Sequence, residues 1–419
     1  MTKTEWKPSR LDELGFVGRG KSRHRPRNDA RLYGGPYPFI QTAEIMDADP
    51  YITDYSQTYT EFGLQQSKLW PPNTLCMTIA GANTAETAIL KFEACFPDSI
   101  VGFIPDEKKA DLHFVKYSLD LMKDKFRAVT REATQDNLSL DKLLSFPLPT
   151  PPLLVQRRIA DILSAYDELI ENNQRSIKIL EEMARSLYRE WFVHFRFPGH
   201  EKAKMARSPL GPIPEGWKVN KLGDLTAALS RGISPTYDDE GGDSKIINQK
   251  CIRDQRLSLE PARRQSKPIP PDKRIRFGDV LINSTGVGTL GRVAQVYENL
   301  EQCTVDTHVT IVRSKADTDV DFFGCTLLLK QEDFERSGVG ATGQTELSRT
   351  AIGEVKIPTP SDSLQKRFGV LAHPMRTAAN TLSKQTENLR RTRDLLLPRL
   401  LSGAIELAGA GILATQEIA

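Results

Sequence analysis

The sequence predicts an α+β protein with two similar mixed α/β domains, each followed by a long helix, and with the two helices paired as an antiparallel coiled coil. Three observations predict this fold class. A proline-containing motif recurs half a chain length later, an apolar heptad pattern follows each copy, and short strand-like segments precede each copy. Such an internal repeat constrains the architecture more than any single motif, and it suggests a ligand with two-fold character.

The proline-containing motif is the clearest part of the repeat. Pro149-Thr150-Pro151 is followed by Gln156-Arg157-Arg158, and Pro358-Thr359-Pro360 by Gln365-Lys366-Arg367, at one offset of 209 residues. Weaker similarities continue upstream, in the same order and at offsets between 205 and 212. They pair Trp6 with Trp217, Ile40 with Ile247, Leu75 with Val280, Thr134 with Thr342, and Leu138-Ser139 with Leu347-Ser348.

The repeat predicts the domain boundaries. We expect a first domain at 1–152, a first helix at 153–197, a linker at 198–214, a second domain at 215–361, a second helix at 362–405 and a tail at 406–419. Each domain of about 150 residues is long enough to bury its own core. Several proline and glycine residues between Pro198 and Gly216 end the first helix and mark the linker.

The first helix carries five apolar heptads, which is typical of a coiled coil. Nine of the ten seam positions are apolar or aromatic, and the polar one, Asn173, is of the kind that fixes register or orientation. The predicted seam is Ile159, Leu163, Tyr166, Ile170, Asn173, Ile177, Leu180, Ala184, Leu187 and Trp191.

The second helix has one apolar row and one smaller, more polar row. The apolar row is Phe368, Met375, Leu382, Leu389 and Leu396, and the other is Ala372, Ala379, Thr386, Arg393 and Leu400. Pro374 is expected to kink or delay this helix and Pro398 to disturb its end. We expect the two helices to pair antiparallel with the domains at opposite ends; an ordinary helical hairpin or a homodimerising coiled coil are the alternatives.

The composition is that of an ordinary folded protein without a membrane segment. Charged residues make up 26% and the net charge is +3, which permits nucleic-acid binding without requiring it. The five cysteines form no C-x-x-C pair, so buried reduced thiols are expected. The N-terminus has no apolar signal region, and no run approaches 18 apolar residues, so we expect a cytoplasmic protein.

Two motif matches are weak, and no catalytic or metal-binding residue is predicted. The run from Gly286 to Gly291 fits G-x-G-x-x-G, but a strand pattern follows it where a nucleotide site needs a helix. Pro97-Asp98 with Glu107-Lys108-Lys109 loosely matches a nuclease pattern that the second domain lacks. No Walker loop, H-E-x-x-H or G-x-S-x-G is present, nor a methyltransferase Asn/Asp-Pro-Pro-Tyr motif.

A basic loop in the first domain predicts contact with DNA. Arg19, Lys21, Arg23, Arg25 and Arg27 alternate with small and polar residues, and arginine suits both phosphate and guanine contacts. The second domain has a looser basic set: Arg253, Arg256, Arg263, Arg264, Lys267, Lys273, Arg274 and Arg276.

Over nearly its whole length the chain resembles the specificity subunit of type I restriction–modification systems. The resemblance lies in the junction between domain and helix, where each piece alone is weak and the combination is specific. In the first half it consists of Ala133-Thr134-Gln135-Asp136-Asn137-Leu138-Ser139, Phe146-Pro147-Leu148-Pro149-Thr150-Pro151-Pro152, Gln156 and Ile159; in the second, of Thr342-Gly343-Gln344, Ile357-Pro358-Thr359-Pro360 and Gln365.

The resemblance implies that two target-recognition domains each read one half of a bipartite, asymmetric double-stranded DNA site, with the paired helices setting the spacer. It also implies two docked methyltransferase subunits and further restriction subunits. S-adenosylmethionine, ATP and Mg²⁺ are then expected on those partners, and no cofactor on this chain.

The expected DNA-binding residues lie in the basic loop and beside the strand that follows it in each domain. Amides pair with adenine and basic side chains with guanine, while phosphate contacts supply most of the affinity. Besides Arg19 to Arg27, the predicted residues are Gln41, Thr42 and Glu44 in the first domain and Asn248, Gln249, Lys250 and Arg253 in the second. For each of them, a hydrogen bond that stabilises the loop is the alternative.

Two other function classes remain open from the sequence alone. A self-contained restriction–modification enzyme would need catalytic motifs that are absent from the sequence. A coiled-coil scaffold that does not bind DNA would have no need of basic loops at matching positions.

Overall fold

A computed structural model describes residues 6–81, 83–132, 137–338, 346–405 and 407, and of residues 131–132 only the backbone. The chain divides into two compact units, Met1–Asn173 with Gln385–Ala419, and Gln174–Lys384. Each unit therefore contains one domain together with part of each long helix. Two of the motif segments quoted above, 133–136 and 342–344, lie outside the described residues.

The first domain consists of short strands and short helices. In chain order the strands are β1 (Lys7–Ser9), β2 (Gly15–Arg19), β3 (Tyr33–Phe39), β4 (Tyr51–Ile52), β5 (Gln57–Tyr59), β6 (Leu69–Trp70), β7 (Leu75–Thr78), β8 (Thr87–Leu90), β9 (Ala94–Cys95), β10 (Ile100–Pro105) and β11 (Leu148–Thr150). The helices are α1 (Leu11–Leu14), α2 (Thr42–Asp47), α3 (Glu61–Gln65), α4 (Leu112–Leu121), α5 (Lys123–Glu132) and α6 (Leu140–Leu144).

The long helix α7 (Leu153–Tyr188) follows and ends in a π-helical turn at Arg189–Val193. The segment 198–214, predicted as a linker, contains the antiparallel strands β12 (Met205–Ser208) and β13 (Gly211–Pro214). The strands of the second domain are β14 (Lys218–Lys221), β15 (Thr226–Arg231), β16 (Ser244–Ile247), β17 (Ile252–Arg253), β18 (Arg256–Leu257), β19 (Arg263–Gln265), β20 (Val280–Asn283), β21 (Val293–Gln295), β22 (Cys303–Val305), β23 (Val309–Ser314) and β24 (Lys356–Thr359). Its helices are α8 (Val320–Leu329), α9 (Gln331–Arg336) and α10 (Arg349–Gly353), and the long helix α11 (Asp362–Leu401) ends the fold.

The sheets of the two domains have related topologies. In the first domain the larger sheet has the order β2-β10-β7-β8-β4, and in the second it has the order β15-β23-β20-β21. Alternating apolar residues of these strands face α4 and α8, whose apolar sides complete the cores. The segment 286–291 is a turn between the antiparallel strands β20 and β21, as the strand pattern after it predicts.

Equivalent hydrogen bonds confirm the internal repeat. A two-stranded ribbon closes each domain, with Lys7 opposite Thr150 in β1–β11 and Lys218 opposite Thr359 in β14–β24. Each ribbon leads directly into a long helix, so the chain enters and leaves each domain at the same place.

A buried glutamine joins each long helix to its domain. The Nε2 of Gln156 donates to the Pro151 carbonyl at 2.9 Å, and its Oε1 accepts from the backbone N–H of Asp111 at 3.0 Å. In the second unit, Gln365 makes the matching bonds to Pro360 and Asp319 at 3.1 and 3.2 Å. The glutamine of the repeated motif is thus a structural residue, because it fixes the helix to the capping residue of α4 or α8.

Contacts inside each unit confirm the antiparallel pairing of the long helices. In the first unit, Ile159 and Leu163 near the start of α7 share a core with Leu400 and Leu401 at the end of α11. In the second unit, residues near the end of α7, including Tyr188, share a core with Phe368 and Ala372 near the start of α11.

The most buried seam positions follow one row in each helix. In α7 these are Ile159, Leu163, Ile170, Ile177 and Ala184, continued by Trp191 in the π-helical turn, whereas Tyr166, Asn173, Leu180 and Leu187 are half-buried. In α11 the smaller row of Ala372, Ala379, Thr386 and Leu400 is buried with Phe368, whereas Met375, Leu382, Leu389 and Leu396 are half-buried. Burial therefore follows the small residues in α11, because small side chains allow the closest approach of a neighbouring element, while the long ones flank it.

The expected delay of the second helix by proline is wrong. The helix begins at Asp362 and continues through Pro374 and Pro398 to Leu401. A proline removes the hydrogen bond to the carbonyl four residues earlier, here that of Val370. Because Val370 and Pro374 are both exposed, water is available to that carbonyl and the break is tolerated.

Arg393 does not disrupt the seam, since an acid on the other helix pairs with it. Its Nη1 lies 2.5 Å from Oδ1 of Asp167, and the hydroxyl of Tyr117 donates to Oδ2 of the same carboxylate at 2.5 Å. Asp167 and Tyr117 are buried. Burial lowers the pKa of Arg393, but the hydrogen bond and charge of Asp167 outweigh it and raise that pKa further above its usual range.

Candidate nucleic-acid interface

The basic loop of the first domain begins where an edge strand ends. Among the described residues, strand β2 lies at the edge of its sheet beside β10, and the chain leaves it at Gly20. A Cβ atom at Gly20 would lie 2.3 Å from the carbonyl oxygens of Phe96 and Pro97, so only glycine fits this close approach. Gly232 has the equivalent position in the second domain, where a Cβ would meet the Val305 carbonyl.

The arginine before each of these glycines makes the same contact. The guanidinium of Arg19 donates to the Asp98 carbonyl at 2.6 and 3.0 Å. That of Arg231 donates to the Thr307 carbonyl at 2.9 Å and pairs with Glu346 at 2.7 Å. These arginines stabilise the start of the loop in both domains, so the predicted DNA contact of Arg19 competes with a structural role.

The other basic side chains of the loop fall into two groups. Arg25 donates to the carbonyls of Ser22 and His24 at 2.7 and 2.8 Å, and Arg27 pairs with Asp98 at 2.9 Å. Lys21 and Arg23 are exposed, and within the described ranges neither side chain has a hydrogen-bonding or ion-pairing partner. These two are therefore the residues of the loop that are free to bind DNA.

A neighbouring acid holds the loop in shape. Asp29 accepts from the Arg31 guanidinium at 2.7 Å and lies 2.8 Å from Nε2 of His24. The hydrogen bonds from Arg31 hold the pKa of Asp29 well below its usual range, so the carboxylate stays ionised. The backbone N–H of His24 also donates to Gln66, which ties the loop to the segment after α3.

The DNA-binding residues predicted after β3 in the first domain form hydrogen bonds with neighbouring residues. Gln41 caps α2, and its backbone N–H donates to Glu44 at 3.0 Å. Glu44 also accepts from the backbone and hydroxyl of Ser56. Burial raises the pKa of Glu44, but these hydrogen bonds outweigh it and hold the pKa below its usual value. Gln41 donates to Gln57 at 3.1 Å, and Thr42 is half-buried.

The predicted DNA-binding residues of the second domain also divide into hydrogen-bonded and exposed side chains. Asn248 caps a 3-10 turn and donates to the Pro261 carbonyl at 3.0 Å, while Gln249 donates to the Thr285 carbonyl at 2.7 Å. Lys250 and Arg253 are exposed, and Arg253 forms an ion pair at 3.6 Å with the adjacent, equally exposed Asp254. The amides therefore stabilise the loop, whereas the two basic side chains extend into solvent.

Most of the looser basic set in the second domain has structural partners. Arg256 forms a two-point ion pair with Glu181 of α7, and Arg263 pairs with Asp239 at 2.6 Å. Arg264, Lys267 and Lys273 donate to main-chain carbonyls. In the described part of the second domain, Arg274 and Arg276 are the members of this set whose side chains have no partner.

The metal-ligating side chains and the thiols of the described residues are dispersed or buried. Among them, no group of three or more histidine, cysteine, aspartate or glutamate residues is placed to hold a metal ion. All five cysteines are buried, and burial raises the pKa of Cys251 to about 11 and that of Cys303 to about 12, so neither thiol ionises readily. Within the same ranges, no helix combines the length and apolar character needed to cross a membrane.

Comparison with known protein families assigns the chain to one of them. A family model described as the type I restriction modification DNA specificity domain matches residues 3–182 and again residues 214–388. The chain belongs to this family. The two matches coincide with the internal repeat, and each covers one domain with much of the helix that follows it.

Curated relatives and a solved structure agree with this assignment. The chain is 24% identical over 422 residues to the type I restriction enzyme MjaIX specificity subunit of Methanocaldococcus jannaschii, covering 96% of this chain and 94% of the relative. It is 24% identical over 358 residues to the HindI specificity subunit of Haemophilus influenzae, covering 67% and 74%.

The crystal structure of the S subunit from M. genitalium shares the fold. Its TM-score is 0.63 at 19% identity, covering 94% of this chain and 96% of that one. The predicted family and the predicted fold class are therefore confirmed.

Proposed function

We propose that this chain is the non-catalytic DNA-specificity subunit of a type I restriction–modification complex, in which each domain reads one half of a bipartite, asymmetric site. The observation that carries the proposal is the duplicated specificity domain with different exposed basic residues in its two copies. The first domain offers Lys21 and Arg23, and the second offers Lys250 and Arg253. Two domains of one fold with different exposed side chains suit two different half-sites.

The chemistry of recognition follows from these side chains. Arginine and lysine bind the O6 and N7 atoms of guanine in the major groove, and both also bind phosphates. Phosphate contacts contribute most of the affinity and make binding strongly dependent on salt. The amides of Gln41, Asn248 and Gln249 are engaged locally, so reading a base with them would require exchanging an existing hydrogen bond.

The long helices serve as the spacer and the docking region in this proposal. Both present large apolar side chains to solvent, among them Leu169, Ile179 and Met183 of α7 and Val370 and Leu395 of α11. Contiguous exposed apolar groups are typical of a protein contact, and Ile179 and Met183 lie one helical turn apart on α7. We propose that two methyltransferase subunits dock there and that restriction subunits join through them, in the cytoplasm. S-adenosylmethionine, ATP and Mg²⁺ are then bound by those partners.

Reconstitution tests the proposed function. The chain is co-purified with the candidate methyltransferase subunit, and methyl transfer from S-adenosylmethionine to DNA is measured for the pair and for each protein alone. The proposal predicts transfer by the pair and none by this chain alone. Methyl transfer by the isolated chain would favour a self-contained enzyme, and binding of DNA that is absent or insensitive to salt would favour a scaffold.

A further inference from the structure

A lysine outside the basic loop lies on an aromatic surface in the first domain. The Nζ atom of Lys68 is 3.6 Å from the ring centroid of Trp70 and 4.3 Å from that of Phe16. Trp70 is fully buried, whereas Phe16, on the edge strand β2, is 52% exposed. The ammonium group is thus held between a core side chain and a solvent-exposed one.

The aromatic surface is rigid, because it is built into the sheet. Trp70 stacks on Phe96 with ring centroids 4.8 Å apart, and Phe16 packs against Trp70 at 5.9 Å. A Cβ atom at Gly102 would lie 2.7 Å from the Trp70 ring, so the absence of a side chain there makes room for it. A lysine on such a surface keeps its ammonium group in a fixed place, since cation–π attraction restrains an otherwise flexible side chain.

The position of Lys68 is tied to the basic loop. The hydroxyl of Ser67 donates to the Lys21 carbonyl at 2.8 Å, which joins the segment before β6 to the loop. Burial lowers the pKa of Lys68, and the positive charge of Lys21 lowers it further. Within the described ranges no carboxylate pairs with either lysine. Two neighbouring cations without an acid repel each other, and a shared anion relieves that repulsion.

The second domain lacks this aromatic surface. By strand register, Ala228 replaces Phe16, because Ala228 pairs with Arg313 in β15–β23 as Phe16 pairs with Ile104 in β2–β10. The residue equivalent to Lys68 is Lys273, whose Nζ donates to the Arg231 carbonyl at 2.8 Å. Lys273 therefore uses its ammonium group in a hydrogen bond within the domain, whereas the ammonium group of Lys68 has no hydrogen-bond acceptor among the described residues and is available to a ligand.

We propose that Lys68, held by Phe16 and Trp70, binds a backbone phosphate of DNA together with Lys21. This contact rests on the proposed function and adds a phosphate site to the first domain that has no counterpart in the second. It fixes the position of the duplex on the domain and contributes affinity independently of sequence.

Salt dependence of DNA binding by the full-length chain tests this contact. Binding of a labelled duplex is measured by fluorescence anisotropy at several salt concentrations for wild type, Lys68→Met and Lys91→Met. Lys91 is the matched control, because its Nζ lies 3.5 Å from the ring centroid of Tyr51 in the same domain, away from the basic loop. Methionine retains the aliphatic contact with the aromatic ring while removing the charge.

Loss of one phosphate contact lowers the slope of log K against log salt by about 0.9. We expect this decrease for Lys68→Met, with an affinity loss of roughly tenfold, and a wild-type slope for Lys91→Met and for Lys68→Arg, which keeps the charge. A wild-type slope for Lys68→Met, or an equal decrease for Lys91→Met, would overturn the inference while leaving the proposed function intact. Failure of the wild-type chain to bind DNA in a salt-dependent way would overturn both.

Discussion

The basic side chains of the loop differ in whether they form hydrogen bonds or ion pairs within their own domain. Arg19, Arg25 and Arg27 are bonded to carbonyl or carboxylate oxygens of the same domain. Lys21 and Arg23 are not, within the described residues. The alternating basic residues of this loop thus fall into those that stabilise the loop and those that extend into solvent. Only the second group can bind DNA without losing an existing interaction.

If Arg23 reads a base, Arg23→Ala is expected to weaken binding to the recognised sequence by about 1–3 kcal/mol, because a bidentate contact with guanine would be lost. The measurement is binding to the recognised duplex and to a duplex with one half-site scrambled. The control is Arg10→Ala, since Arg10 is an exposed arginine of the same domain that pairs with Asp12 at 2.6 Å. An equal loss on both duplexes would identify Arg23 as a phosphate contact instead.

The sequence predicts where basic side chains cluster, but not which of them are bonded. The partner of Arg19 is a carbonyl 79 residues away along the chain, and no local pattern indicates it. The bond between Gln41 and Glu44 is different, because a spacing of three residues at a helix start is the signature of a capping box. Lys68 was missed because its aromatic partners, Phe16 and Trp70, meet only through the packing of the sheet.

The two long helices meet their domains differently in the two units. In the first unit, Asp167 of α7 joins Arg393 of α11 and Tyr117 of α4 in one buried group. The equivalent positions in the second unit, by the offsets of 208 and 209 residues, are Arg376, Ala184 and Cys325. All three line a cavity of about 120 Å³. The cavity therefore exists where small residues replace the tyrosine and arginine of the first unit.

Asp167→Asn is expected to destabilise the first unit by about 3 kcal/mol, because it removes the buried carboxylate that pairs with Arg393 and leaves only the exposed Asp394 as its charged partner. The measurement is urea unfolding of the full chain, with Asp161→Asn, an exposed acid on the same helix, as the control. Replacing both Asp167 and Arg393 by leucine, with Tyr117→Phe to remove the hydroxyl that donates to Asp167, should recover most of the loss, since an apolar group avoids the buried charge. A loss as small as that of the control would contradict a stabilising role for the ion pair.

Ala184→Leu is expected to be tolerated or to stabilise the second unit by up to about 1 kcal/mol, because the added methyl groups fill the cavity. Ala160→Leu, at a buried alanine of the same helix in the first unit, should instead destabilise by roughly 1–3 kcal/mol through overpacking. Thermal unfolding of the two variants checks both values. Equal destabilisation would show that the cavity cannot accept a larger side chain.

Heptad spacing predicts the existence, the approximate length and the pairing of the long helices. It does not predict which row is most buried, because burial depends on the partner as well as on the residue. Thr386 and Ala379 are buried while Leu382 and Leu389 are only half-buried. The effect of Pro374 depends in the same way on whether water reaches the Val370 carbonyl. That exposure cannot be predicted from the sequence.

At the scale of the whole molecule, duplication explains most of the architecture. Gln156 and Gln365 fasten each long helix to its own domain by matching hydrogen bonds, and ribbons β1–β11 and β14–β24 have matching register. Such constraints preserve residue type and spacing, so the repeat is visible in the sequence. The exposed loops have no such constraint, and their differences are what two distinct half-sites require.

The central claim is that the two domains read separate half-sites around a spacer that neither reads. Sequencing that maps methylated adenines in DNA modified by this chain with its methyltransferase partner tests it most directly. The account predicts two short recognised blocks around a gap of fixed length, and for Lys250→Ala with Arg253→Ala a change confined to one block. A continuous recognised sequence, or a change in both blocks, would contradict it.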